Sequence, residues 1–271
     1  MNSVNIMELS GAVVRPGGPD GPAVLNGCSF SIKEGETIAL VGESGSGKTT
    51  VLRTIAGRIP LEAGTLRAPD NLGWLPQYPL NTFDPLWPVI KSVAEPLRLA
   101  GVNRKEAREK SLKVLESLKL SRMQWDLGPS GLSGGQLHRA AIARALVAGD
   151  LVLADEPTAG LDPIAAIHLL DQIKNVSRAR GTSLLWATHD LGVAAAIADK
   201  VFVLSKGKIV EVARMGRLVV NPRTEATRKL LNCWFPLDAD FARQQLAKPG
   251  SVTANAAAWV HEEMEDEDEY E

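Results

Sequence analysis

Aromatic residues make up only 5% of this 271-residue chain. Packing therefore falls to Leu, Val, Ile and Ala, and apolar residues at 45% suffice for a sizeable core. Cysteine is nearly absent. Cys28 and Cys233 are far apart and fit no metal-ligand spacing, which leaves two reduced thiols as the plain reading. No apolar run approaches the roughly 18 residues of a membrane span, so any crossing of a membrane falls to another chain. The first residues lack a basic segment followed by an apolar one, and no secretion signal is expected. No Arg/Lys run is interleaved with aromatics, so nucleic acid is not expected as a partner. Internal repeats are absent too.

Charge is present but uneven. The formal net charge is −2, yet eight of the ten residues 262–271 are acidic, and the rest of the chain stands at +6. Like charges with little to bury predict a solvated, disordered tail.

Local signals organise the rest. Residues 10–22 are rich in Gly and Pro and read as a loop. Residues 24–32 alternate as a strand does. Thr37-Ile38-Ala39-Leu40-Val41 is a short continuous apolar run, as expected for a strand buried on both faces. A helix should run from Lys48 to about Ala56 and stop at Gly57. Five prolines between 76 and 96 read as an irregular surface connection. Helices are predicted over 104–120 and 134–147. Beyond these, strands at 151–154, 183–187 and 201–204 alternate with helices at 163–179 and 191–198. That alternation implies a parallel sheet with crossover helices. The helical piece 78–148 interrupts it and reads as an inserted subdomain.

Three motifs carry chemistry. Gly42-Glu43-Ser44-Gly45-Ser46-Gly47-Lys48-Thr49 fits the phosphate-loop pattern and lies between a predicted strand and a predicted helix, the context it requires. Composition alone gives such a match in roughly one chain of this length in a hundred. Glycines let successive N–H groups face a phosphate, and the helix start adds partial positive charge. Lys48 brings a full charge to the β- and γ-phosphates, and the Thr49 hydroxyl suits Mg²⁺. Next, Asp155-Glu156 ends the apolar run 151–154, and strand ends are where α/β sheets place ligands. Asp155 suits a metal shell, and Glu156 suits a base that polarises water. Alone, two such acids also read as a solvated turn or a helix cap. Lastly, Leu132-Ser133-Gly134-Gly135-Gln136 puts a hydroxyl and two small residues at a helix start. Ser133 reads as an N-cap, and the same helix tip is an anion site for a neighbouring molecule; both readings hold together.

In this order the motifs resemble the ATP-binding cassette (ABC) ATPases, over roughly residues 4–235. The resemblance implies an α/β fold: a RecA-like P-loop ATPase core, an N-terminal antiparallel β-part and the inserted helical subdomain, about 78–148. A domain over 1–235 is expected, followed by an extension over 236–271. The resemblance also assigns residues. Gly42, Ser44, Gly45, Gly47, Lys48, Thr49 and Thr50 would hold ATP. Thr49, Gln77 and Asp155 would hold Mg²⁺. Glu156, His189 and Gln77 would serve catalysis, with Gln77 as the Q-loop and His189 as the switch histidine. Ser133, Gly135 and Gln136, together with the D-loop Asp162, would meet the nucleotide or the mate in a second ABC cassette, identical or not. His138, His168 and His261 match nothing.

Within the family, the likeness leans to peptide and nickel importer cassettes. It rests on the glycine-rich loop, on Asp84-Pro85 and Glu95-Pro96, and on Asn221-Pro222-Arg223-Thr224-Glu225-Ala226-Thr227. The expected function is ATP hydrolysis that drives an importer. Such a subunit sits on the cytoplasmic face of the cell membrane, bound to permease subunits and served indirectly by a solute-binding protein. Residues 78–89 are the expected permease contact, with Phe83 and Trp87 either anchors there or plain core. The alternative is an ABC-type ATPase within a soluble enzyme complex, as in carbon–phosphorus bond cleavage; repair or translation cassettes fit less well. Three departures stand out. The aromatic that family members stack on adenine is replaced around Val13, Val14 and Arg15, where the planar Arg15 guanidinium is a substitute. The stretch from Gly64 to Gln77 is short, so the β-part should be trimmed. Cys233 stands alone, so no iron–sulfur centre is expected.

Overall fold

The computed structural model describes residues 4–234 except Gly160 and Asp162. The strands are β1 (Asn5–Val14), β2 (Leu25–Lys33), β3 (Thr37–Val41), β4 (Ala63–Arg67), β5 (Leu72–Leu75), β6 (Leu151–Asp155), β7 (Ser183–Thr188), β8 (Lys200–Ser205) and β9 (Lys208–Ala213). The helices are α1 (Lys48–Ile55), α2 (Val89–Leu99), α3 (Arg104–Ser117), α4 (Arg122–Trp125), α5 (Gly134–Ala148), α6 (Pro163–Arg180), α7 (Leu191–Ile197), α8 (Met215–Val220) and α9 (Glu225–Trp234). The fold divides into two compact units. One holds Ser31–Glu36 and Arg67–Leu185 with the start of β1. The other holds Glu8–Phe30, Thr37–Leu66 and, among the described residues, 186–234.

In the first unit β5, β6 and the start of β7 lie in that order. β5 and β6 run parallel, with Leu75 opposite Ala154. β6 is apolar and buried until its last residue, as a strand covered on both faces must be. Between β5 and β6 every regular element is a helix or a 3-10 turn. The reading of 76–96 as irregular holds to Pro88, one 3-10 turn aside, and fails from Val89 on, where α2 begins. A short 3-10 turn, Pro79–Thr82, is followed by α2, which contains Pro96. Proline has no N–H to give the carbonyl four residues back, here that of Ser92. Arg144 of α5 supplies the missing donor: its Nε reaches the Ser92 oxygen at 3.1 Å, and its other arm pairs with Glu95 at 2.6 Å. The helix survives because another helix completes it. Phe83 is 7% exposed and belongs to the core. Trp87 is half-buried, with the Lys91 ammonium 3.4 Å from its ring centroid.

In the second unit the end of β7, β3, β8 and β9 lie in that order. β3 is buried along its whole length and runs parallel to β8, Val41 opposite Val203. β8 turns back into β9 through Lys206-Gly207, both at positive φ (48° and 73°), the handedness a two-residue hairpin loop needs. β2, β1 and β4 form a separate three-stranded sheet in that order. Val24 N–H donates to the Val14 carbonyl at 2.9 Å, so β2 starts where β1 ends and the two run antiparallel. Residues 10–14, read as loop from their Gly and Ser, belong to β1. Gly11 N–H finds an acceptor in the Ser29 hydroxyl at 2.8 Å, and Ala12 and Val14 are buried. Burial pushes the Cys28 thiol up to about 11, against a smaller opposing effect of a backbone hydrogen bond at Ile209, which leaves an inert thiol.

α9 is fastened by one carboxylate. Glu211 of β9 accepts from the N–H groups of Arg223 (2.9 Å) and Thr224 (3.0 Å) and from the Thr227 hydroxyl. Burial alone would raise the Glu211 pKa, but these bonds outweigh it and hold it below the ordinary 4.5. A depressed carboxylate pKa stabilises the fold above the unfolded value, and that contribution is lost as pH falls through the lower folded value. Glu211→Ala should cost about 2 kcal/mol, since it strands three donors. Hydrogen exchange should accelerate in α9 first, and wild-type protein should show the same loosening in acid. An unchanged α9 would refute the fastening.

Candidate functional site

In the second unit β3 delivers Gly42 beside β8. A Cβ on Gly42 would lie 2.3 Å from the Leu204 carbonyl oxygen and 2.7 Å from Ser46 Oγ, so only glycine fits. The loop then closes onto α1 through Gly47, at φ 109°. Gly207 N–H holds the Ser46 carbonyl at 3.2 Å, so the β8–β9 turn supports the loop from behind. α1 starts with no side-chain cap and no acidic residue in its first turn. Its first N–H groups, which no helix can satisfy from within, therefore point positive charge outward.

Lys48 is buried, and its ammonium donates to the carbonyls of Gly42 (2.7 Å) and Glu43 (3.2 Å). Ser46 Oγ is buried with no hydrogen-bond partner, a cost that a bound polar group would relieve. Ser44 and Gly45 are exposed, Thr49 and Thr50 half-buried. A fixed cation, an uncapped helix start and an orphaned hydroxyl together fit a phosphate chain. The loop also walls a small cavity of about 160 Å³ with Lys206 and with Ala226 of α9.

His189 follows β7 directly and is exposed. The next residue, Asp190, caps α7 by accepting from Gly192 and Val193 N–H at 2.7 and 3.2 Å. Arg15 follows the end of β1. One guanidinium nitrogen, Nη1, donates to both carboxylate oxygens of Glu62, which anchors the end of the side chain. Val24, bonded to Val14, also has its carbonyl 3.3 Å from where a Gly47 Cβ would lie. This places the β1 end near the phosphate loop.

In the first unit the parallel register of β5 and β6 brings three sequence-selected residues to one edge. Gln77 lies two residues past Leu75; Asp155 and Glu156 lie one and two past its partner Ala154. Glu156 has a left-handed backbone, φ 46°. For a non-glycine residue this costs on the order of 1 kcal/mol or more, a strain found where function fixes a side chain.

At the start of α5, Ser133 and Gln136 form a reciprocal capping box. Ser133 Oγ accepts from Gln136 N–H at 3.4 Å, and Gln136 Oε1 accepts from Ser133 N–H at 2.9 Å. Gly134 and Gly135 face open space. Asp162 and Gly160 of the D-loop lie outside the described residues. Sequence reasoning missed Glu62 and Ser46 Oγ; Glu62 carries no local signal that marks it as the partner of Arg15.

Comparisons with known proteins bear on the family and the fold. The family model described as ABC transporter matches residues 25–159. The aliphatic sulfonates import ATP-binding protein SsuB 1 of Pseudomonas fluorescens is 40% identical over 193 residues, covering 70% of this chain and 71% of that protein. The oligopeptide transport ATP-binding protein OppD of Bacillus subtilis is 30% identical, covering 84% and 71%. Among solved structures, the dimeric bacterial ABC transporter cassette MJ0796 superposes with a TM-score of 0.66 at 26% identity, over 77% of this chain and 98% of that one. The chain belongs to the ABC transporter family and is one of its ATP-binding, ATP-hydrolysing cassettes.

Proposed function

We propose that this cassette powers an importer from the cytoplasmic face of the cell membrane, bound to permease subunits that a solute-binding protein supplies. Among the described residues no helix is long and apolar enough to cross a membrane. The relatives named for sulfonate and for oligopeptide are both import or transport ATP-binding proteins. The observation that carries the ATP chemistry is the uncapped start of α1 with the buried Lys48 ammonium beside it. Residues 42–50 hold the triphosphate, with Ser44, Gly45, Gly47 and Thr50 giving backbone and hydroxyl contacts. Thr49, Gln77 and Asp155 hold Mg²⁺, which neutralises phosphate charge when bound. Glu156 takes a proton from the attacking water, and His189 stabilises the γ-phosphate as charge builds there. Arg15, anchored by Glu62 through Nη1, offers its planar guanidinium to the base.

Ser133, Gly135 and Gln136 serve the nucleotide of a second cassette, and Asp162 meets that mate. In Ser133 the cap and the donor role are compatible, because the hydroxyl has an O–H to give while its oxygen accepts. Residues 78–89 are the permease contact. Tyr78 and Leu86 are 65% and 88% exposed there, and Asp84 shapes the turn by accepting from Leu86 N–H at 2.8 Å. The solute is a peptide, nickel or a related small molecule. The stretch 221–227, which carries this part of the likeness, is the one Glu211 fastens. Purification of the tagged chain from detergent-solubilised native membranes tests the reading. Membrane-spanning chains that stimulate its ATPase are expected; recovery of soluble metabolic enzymes alone would establish the other reading.

A further inference from the structure

The first unit carries a second cavity that nucleotide chemistry does not use. A groove of about 770 Å³ lies along α2 and α3. Four cations line it: Lys91, Arg98, Arg104 and Arg108, all exposed. The one acid in its wall, Glu95, is already engaged by Arg144. Lys91 rests on Trp87, and Arg108 approaches Asp126 only to 3.8 Å. Arg98 and Arg104 have no ion-pair partner among the described residues. Between these charges lies Leu99, 82% exposed. The groove thus presents cations around an apolar strip and asks for an acidic segment with a few apolar side chains.

We propose that the occupant is the chain's own acidic stretch, residues 262–271, docked within the same molecule. It carries eight carboxylates with Met264 and Tyr270 among them, against a remainder of the chain at +6. Reach is no obstacle: the 28 residues from Trp234 to Glu262 span up to about 90 Å when extended. Exposed ion pairs are individually weak. A tethered ligand, however, faces its site at an effective concentration on the order of millimolar, so several weak pairs suffice. Since Trp87 and Pro88 line the groove and also belong to the surface assigned to the permease, the docked stretch would compete with that partner. This last consequence rests on the permease reading; the docking does not.

The test is hydrogen exchange on the full chain against a variant whose eight acids in 262–271 become Gln or Asn. Amides of α2 and α3 should exchange several-fold more slowly in the native chain, and the difference should vanish at about 1 M salt, where screening is nearly complete. R98E with R104E should abolish the protection, and Lys in place of the eight acids should restore it in that background. Equal exchange in native and neutral-tail chains overturns the docking, as does protection that is indifferent to salt. Protection that grows with protein concentration places the stretch on a second copy and overturns docking within one molecule. Neutralising the acids should also raise permease recovery from membranes. If protection is present and recovery does not change, the competition falls and the docking stands.

Discussion

Glu156→Gln should bind ATP normally and scarcely hydrolyse it. Steady-state turnover is expected to fall roughly 10²–10⁴-fold, the range a positioned general base supplies. The substitution isolates the chemistry. Gln is isosteric, inherits the same left-handed backbone (φ 46°) and leaves intact the bond from Ala159 N–H to the residue 156 carbonyl at 3.0 Å. What it removes is the capacity to take a proton. If two cassettes face each other around nucleotide, this variant should also accumulate as a dimer with Mg-ATP, visible by light scattering. Normal hydrolysis would sink the role of Glu156. A monomer under saturating Mg-ATP, with its membrane partners present, would sink the pairing.

Lys48→Ala should fail one step earlier, at binding. In the structure the ammonium satisfies the Gly42 and Glu43 carbonyls at 2.7 and 3.2 Å while sitting at the mouth of an uncapped helix. A charge-assisted hydrogen bond contributes about 1.5–3 kcal/mol, and loss of the cation also leaves carbonyl oxygens pointing at phosphate oxygens. Affinity for ATP should drop about 100-fold or more, read by titration with a fluorescent ATP analogue. Far-ultraviolet circular dichroism should stay unchanged, because α1 is held by Val51, Leu52 and Ile55 in the core. Wild-type affinity in this variant would mean that the phosphates do not lie in this loop.

Much of this was legible because its causes are local. β3 and β6 announce themselves as continuous apolar runs, and the phosphate loop carries its own glycines and lysine. Elements that depend on distant partners were not legible. Pro96 argues against a helix until Arg144, 48 positions on, donates to the Ser92 carbonyl. Gly11 argues against a strand until Ser29 accepts its N–H. Arg15 looked free to stack, and nothing near it in sequence names Glu62 as its holder. α9 begins with a findable local signal, the Thr224 hydroxyl accepting from Thr227 N–H at 3.2 Å. The carboxylate that anchors it lies on another element.

The bonds from Arg144 to Ser92 and Glu95 have a mechanical meaning as well. The helix that opens with Ser133 and the helix that begins beside Trp87 share a rivet, set in the last third of the first and the middle of the second. Neither can shift along its axis without dragging the other, so a tug at the serine arrives at the tryptophan without slack.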